Sequence, residues 1–298
     1  MPLPSPPEPS LLTLYQKKIL RLVELDPPKH PDLTRYLHAA SELEKSGADA
    51  LTLADNSLAL LRVSNLAAAT AIRSQSSIPL ILHLTCRDKN LIALQSEALG
   101  RYALGFRHVL ALTGDSPKLG DHPNARPIYE LNSITLIRTL HNLNQGHAAS
   151  GKSISHATQF IIGCAFNPNT DNLTPQLRKL DDKLSAGAHF IMTQPLYSVE
   201  KIRNTATLLA PYRVPVFIGV MPILHSRNAE FLHSHVPGIS IPDSVREKFR
   251  HLPETDAWRF GVEYALTLQK EILQHFPAVY LITPFLRYET TQALLQAD

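Results

Sequence analysis

The 298-residue sequence predicts a single-domain (β/α)8 barrel, and three observations carry that prediction. Short apolar runs that read as strands recur eight times, amphipathic stretches with helical spacing separate them, and no second sequence type interrupts the series. Near-continuous apolar strands between amphipathic helices imply a parallel sheet covered on both faces. Eight such units imply closure into a barrel, and the length suits a fold that typically takes about 250 residues. The open doubly wound sheet is the competing architecture. It would carry a glycine-rich phosphate turn after an early strand, and the sequence has neither a GxGxxG turn nor a P-loop.

The elements follow in order. The proline-rich start MPLPSPPEPS predicts a disordered or extended tail, so residues 1–18 are expected to be tail and lead-in and residues 19–298 the barrel. The first strand is expected over 20–25, ending at Glu24 and Asp26 before a proline pair. The next stretch places Leu33, Leu37, Ala40 and Leu43 on one helical face and stops at Gly47. Further strands are expected at 49–55, 79–85, 108–114, 159–166, 189–194, 215–221 and 278–283. Helical stretches such as NLIALQSEALGRYALG and TPQLRKLDDKLSAGA lie between them, and the last interval holds both NAEFLHSHV and a long run from Asp256 to Phe276.

Composition narrows the function classes. With 44% hydrophobic and 18% charged residues the chain suits a packed core. The net charge of +3 is spread over scattered Lys and Arg, which weighs against nucleic acid as a partner. Cys86 and Cys164 sit in apolar runs and make no disulfide framework, so a reducing cytoplasm is the expected location. No apolar run reaches the ~18 residues of a membrane span, and the start lacks the regions of a signal peptide.

Barrel chemistry sits at the C-terminal strand ends. Those ends carry Glu24 and Asp26, Thr52 and Asp55, His83 and Thr85, Thr113 and Asp115, Asn167 and Asn169, Thr193 and Gln194, and Thr283. A helix cap or loop bond is the plainer reading of any single Thr or Asn. Glu24, Asp115 and Gln194 resist it, because two acids and an amide from different strands converge only when the barrel closes. They suit a heterocycle with several donors and acceptors, together with a proton transfer. Metal ligation is not expected: the sequence lacks HExxH and paired CxxC, and the HSH at 233–235 has poor ligand spacing. Cys86 reads as a small buried thiol, Trp258 as packing, and Lys179 and Lys183 as a solvated helix face that could meet phosphates.

The segments VELDPPK, LTLADNSLA, HLTCRDKNLIALQS, LALTGDSPK, AFNPN, KLSAGAHFIMTQPLYS, IGVMPI, NAEFLHSHVPGI and YLITPF together resemble, in order, the methylenetetrahydrofolate reductase family. The likeness is strongest to the reductase half of bacterial bifunctional proteins that also carry a homocysteine S-methyltransferase, whose paired-cysteine zinc motif is missing from this sequence. The resemblance runs from about residue 20 to about residue 290. It implies a flavin-containing barrel that reduces 5,10-methylenetetrahydrofolate to 5-methyltetrahydrofolate with NADH or NADPH as donor. It implies that Glu24 is the general acid acting on N10 of the folate, and that Asp115 lies beside flavin and pterin and favours a cationic iminium. Gln194 matches the pterin-binding amide, and Thr52, His83, Thr113, Gly114, Asp115, Ala165 and Lys183 fall on FAD-contacting positions. Two departures remove positive charge where the FAD diphosphate is expected: Thr113 stands where single-function enzymes usually have Arg, and Asp182 replaces a basic residue beside Lys183. The alternatives are direct hydride transfer without flavin and a folate-binding subunit that needs a partner. Oligomeric state stays open, with a homo-oligomer, a methyltransferase or an electron-transfer protein as candidate partners.

Overall fold

The computed structural model describes residues 9–297; the proline-rich residues 1–8 lie outside them. The eight strands are β1 (Leu20–Glu24), β2 (Ala50–Leu53), β3 (Leu80–Thr85), β4 (His108–Leu112), β5 (Ile161–Phe166), β6 (Phe190–Pro195), β7 (Val216–Val220) and β8 (Ala278–Ile282). The helices are α1 (Leu11–Tyr15), α2 (Thr34–Lys45), α3 (Asn65–Arg73), α4 (Leu91–Ala103), α5 (Ser133–Asn144), α6 (Thr174–Ser185), α7 (Val199–Leu209), α8 (Ser226–His235), α9 (Asp243–His251), α10 (Glu254–Leu273) and α11 (Tyr288–Leu295). Each strand pairs in parallel with the next, and β8 closes on β1, giving the expected barrel.

Side chains alternate across each strand, so one set fills the barrel and the other meets the helices. The inner core holds Leu20 and Leu22 of β1, Ala50 of β2, Ile81 of β3, Leu110 of β4, Phe190 and Met192 of β6, Phe217 of β7, and Ala278 and Tyr280 of β8. Gly163 of β5 is needed here for space, since a Cβ at that position would stand 2.3 Å from the Phe190 ring. The lead-in adds to this core: Leu11 of α1 is fully buried among these residues and donates its backbone N–H to His108 Nε2 at 3.2 Å.

The structure corrects several sequence-based expectations. β2 stops at Leu53 rather than at Asp55, because Asp55 turns back to accept the N–H and hydroxyl of Thr85, both at 3.0 Å. β4 stops at Leu112; Gly114, at φ +93°, takes the chain out of the ladder before Asp115. Helix α9 adds an element that the sequence pattern does not signal, since only Val245 and Phe249 of DSVREKFRH are buried and the segment offers no longer apolar period. Trp258 lies on α10 as expected for a helix, but it is 43% exposed and donates its indole N–H to Thr290 Oγ1. Cys86 and Cys164 are unpaired and buried, and burial pushes their thiols up to about 12 and about 11. No helix among the described residues is long and apolar enough to cross a membrane.

Candidate functional site

The inward phase of the strands continues past the apolar layer to the C-terminal rim and places the site residues. Glu24 is two residues beyond Leu22, Thr52 two beyond Ala50, His83 two beyond Ile81, and Gln194 two beyond Met192. The β1–β2 register sets Glu24 directly opposite Thr52. An irregularity in the β6–β7 pairing between Met192 and Pro195 brings Thr193 Oγ1 onto the N–H of Gly219 at 3.0 Å. This bulge sits beside Gln194 at the mouth, where such irregularities re-aim side chains.

One polar cluster joins β1, β2, β3 and β8. Tyr280 donates its phenol O–H to Glu24 Oε2, and Thr52 Oγ1 lies 2.6 Å from His83 Nε2. His83 Nε2 stands 3.8 Å from Glu24 Oε2, beyond hydrogen-bond reach. Burial raises the Glu24 carboxyl to about 8, and the Asp26 carboxylate pushes the same way, while the Tyr280 bond and Arg62 oppose the rise. Glu24 therefore keeps its proton at neutral pH. Burial also drives His83 down to about 4, with Arg101 assisting and Asp55 opposing, so this imidazole is neutral.

The scaffold behind the cluster is ionic. Arg101 of α4 is fully buried and donates to the His83 carbonyl at 2.9 Å, to Asn65 Oδ1 at 3.2 Å and to Glu97. Asn65 Nδ2 reaches the same carbonyl at 2.8 Å. Burial would push the Asp55 carboxyl up, but Lys89, Arg101 and the two Thr85 bonds outweigh it and hold Asp55 below the usual carboxylate range.

A second group forms around the loop after β4. Asp115 Oδ2 accepts the N–H of Leu58 at 2.8 Å, and Asp121 Oδ1 accepts that of Leu61 at 3.1 Å, so the loops after β2 and β4 are stitched together. Asn56, Leu58 and Ala59 all take left-handed backbone in this turn, and a Cβ at Gly120 would stand 2.0 Å from the Ala59 carbonyl oxygen. Thr113 Oγ1 accepts the N–H of Ser133 at 3.1 Å. Against the neighbouring β5, Lys183 of α6 is no solvated residue: its ammonium donates to the Ala165 carbonyl at 2.6 Å, and burial lowers its pKa. Lys179 and Asp182 on the same helix are exposed. Among the described residues no group of three His, Cys, Asp or Glu side chains could hold a metal ion.

The family model described as "Methylenetetrahydrofolate reductase" matches residues 11–296. The chain belongs to the methylenetetrahydrofolate reductase family. "Methylenetetrahydrofolate reductase 2" of Schizosaccharomyces pombe is 28% identical over 228 residues, which is 70% of this chain and 33% of that protein. "5,10-methylenetetrahydrofolate reductase" of Escherichia coli is 23% identical over 204 residues, 67% of this chain and 63% of its own length. The chain thus spans about a third of the length of the fungal relatives of this reductase family that it matches. A solved Clostridium thermocellum protein described as binding two copies of 5-methyl-5,6,7,8-tetrahydrofolic acid shares the fold, with a TM-score of 0.65 at 16% identity over 96% of this chain and 98% of that one.

Within this reductase-family barrel, sequence reading alone located Glu24, Thr52 and His83, which the fold brings together. It missed Tyr280, Asn65, Arg62 and Arg101. For Tyr280 a signal existed: a hydroxylated aromatic in the inward phase of an otherwise aliphatic strand, AVYLI. For Arg101 none did, because a cation within a helical stretch reads as a solvated face.

Proposed function

We propose that the protein reduces 5,10-methylenetetrahydrofolate to 5-methyltetrahydrofolate with NADH or NADPH as electron donor and FAD as carrier. The observation that carries this reading is Glu24: a carboxyl that keeps its proton at neutral pH, at the mouth of a barrel of this family. The reaction adds a hydride to the methylene carbon, breaks the bond from that carbon to N10, and places one proton on N10. An acid poised near neutrality is suited to that proton, and Glu24 fills the role, either directly or through a water. Gln194, half-buried at the end of β6, is suited to the donor and acceptor edge of a pterin. Asp115 supplies negative charge on the β4 side, where it would favour a positively charged one-carbon unit.

The donor set fits a flavin. Thr52, Thr113, Gly114 and Ala165 are small residues around the rim, His83 is a neutral ring among them, and Lys183 offers an ammonium to a diphosphate. Bound there, FAD would supply two-electron transfer between nicotinamide and folate. The acid at position 182 and the neutral Thr113 leave that diphosphate with less positive charge than usual for the family, and this favours direct hydride transfer from nicotinamide to folate as the second reading. The visible spectrum of the purified protein, followed through anaerobic NADH and NADPH additions with and without the folate, separates the two. A flavin band that bleaches with nicotinamide and recovers with folate supports the first. A colourless protein, unaltered by added FAD, that oxidises nicotinamide only with folate present supports the second. No folate-dependent oxidation under either condition would overturn both.

A further inference from the structure

We infer that Tyr280 is a positioning residue for Glu24: its phenol claims Oε2 as an acceptor, which leaves the acid's own proton on Oε1 and stabilises the carboxylate that forms once that proton is given up. The inference rests on the reductase reading above for its catalytic meaning, and on geometry alone for the Tyr280–Glu24 relationship.

The β1–β8 register places Tyr280 opposite Leu22 and Glu24 opposite Ile282, so Tyr280 rises from the layer beneath the acid. Its ring is buried in the inner core and its hydroxyl meets Oε2 from below. Burial and the nearby Glu24 charge hold the phenol well above its ordinary pKa, so it is a permanent donor in this contact. A second proton between the same two oxygens has no acceptor, which leaves Oε1 for the carboxylic proton.

With the His83 proton on Nε2, a chain of donors runs to Tyr280 from behind. Thr52 hydrogen-bonds the Tyr280 phenol, and its own oxygen lies 2.6 Å from His83 Nε2. A neutral His83 carrying its proton on Nε2 donates to Thr52, Thr52 donates to Tyr280, and Tyr280 donates to Glu24, so each bond strengthens the next. Four titratable groups bear on Glu24: Tyr280 from β8, His83 from β3, Asp26 from the end of β1 and Arg62 from the β2 loop. Tyr280 is the one bonded to it. Its donation favours the ionised form, so removing the phenol oxygen weakens the acid.

Infrared difference spectroscopy tests this without substrate. The carbonyl stretch of protonated Glu24, identified by its absence in Glu24→Gln, is titrated in the wild type and in Tyr280→Phe. The stretch should vanish near pH 8 in the wild type and at higher pH in Tyr280→Phe. A smaller shift of the same sign is expected in Thr52→Val, a variant that keeps the ring in place. The kcat for folate reduction should fall roughly tenfold in Tyr280→Phe, the loss of one hydrogen bond to a developing charge, with its alkaline limb displaced upward. The same titration midpoint in wild type and both variants overturns the inference, whether or not the protein turns over the folate. A shifted midpoint with unchanged kcat in an active enzyme overturns the catalytic part. A shifted midpoint in a protein that never reduces the folate upholds the Tyr280–Glu24 coupling and faults the reductase reading instead.

Discussion

The carboxylate of Asp26 and the guanidinium of Arg62 form an ion pair at 2.9 Å that ties the loop after β1 to the loop after β2, beside Glu24. Arg62 also donates to the Pro27 carbonyl at 2.9 Å, and Ser57 donates its hydroxyl to Asp26 Oδ2 at 2.9 Å. Asp26 Oδ1 is buried without a hydrogen-bond partner, so this carboxylate is under-satisfied for its burial. The field that Glu24 feels from this side is a difference between two opposed charges. Asp26 discourages its ionisation and Arg62 favours it.

Replacing Asp26 with Asn should therefore move Glu24 in one direction only. The like charge is lost and Arg62 is left unopposed, and both changes stabilise the Glu24 carboxylate. An acid that must be protonated then works over a narrower range: the alkaline limb of folate reduction shifts to lower pH. Above pH 8 the Asp26→Asn rate should drop by about tenfold relative to wild type, with much less loss near pH 6. The pH dependence of kcat/KM in the two proteins checks this. Coincident alkaline limbs would show that the Asp26 charge does not reach Glu24.

How much of this was legible in the sequence follows from which residues act through their own strand. Glu24, Thr52 and His83 each extend an apolar alternation by two residues, so the period-2 pattern alone points them inward once the barrel closes. Closure itself came from counting apolar runs. The loop chemistry was less legible. Asp115 reads as a strand end, yet it lies three residues beyond Leu112 and fixes the Leu58 backbone, a contact between residues 57 apart that no local pattern encodes. Lys183 read as a solvated face because its helix is polar; only the packing of α6 on β5 turns its ammonium onto the Ala165 carbonyl. Helix α1 is hard to read from LLTLY, a five-residue stretch broken by the exposed Thr13 and too short to show a period.

Glu24 should also leave a mark on stability. Burial raises its folded pKa to about 8 from an ordinary 4.5, so over that interval the folded chain holds a proton that the unfolded chain has released. Stability then falls as pH rises through this window, by up to a few kcal/mol. His83 has the opposite sign: its pKa is depressed to about 4 from 6.5, so its contribution is present above pH 6.5 and lost as pH falls. Between pH 6.5 and 8 the Glu24 slope stands without that opposition. Glu24→Gln, which removes the ionisation, should thus unfold at higher denaturant than wild type at pH 8, with the gap closing as pH is lowered toward 4.5. Parallel urea titrations at several pH values decide it. A constant gap across the range would mean that Glu24 does not resist ionisation in the folded state.

Arg101 carries the last prediction, because it supports the site through the backbone of His83 rather than through a side chain that faces the mouth. Its guanidinium is fully buried and divides its donors among the His83 and Leu82 carbonyls, Asn65 Oδ1 and Glu97. Methionine matches its length but donates to none of them. Glu97 would keep Lys89 at 2.8 Å and the His83 carbonyl would keep Asn65, so the loss falls on the Leu82 carbonyl and Asn65 Oδ1. Arg101→Met should cost about 2–3 kcal/mol, toward the lower side of what breaking a buried ionic network costs. The second consequence is specific to the site: Arg101 helps to keep His83 unprotonated, so without it the imidazole should take up its proton at higher pH. A protonated His83 still donates from Nε2 to Thr52, but it adds a positive charge 3.8 Å from Glu24 Oε2 and makes Glu24 ionise more readily. Nitrogen chemical shifts of the His83 ring, followed from pH 7 downward, read this directly. A purely structural Arg101 would lower the unfolding midpoint and leave the His83 titration where it was.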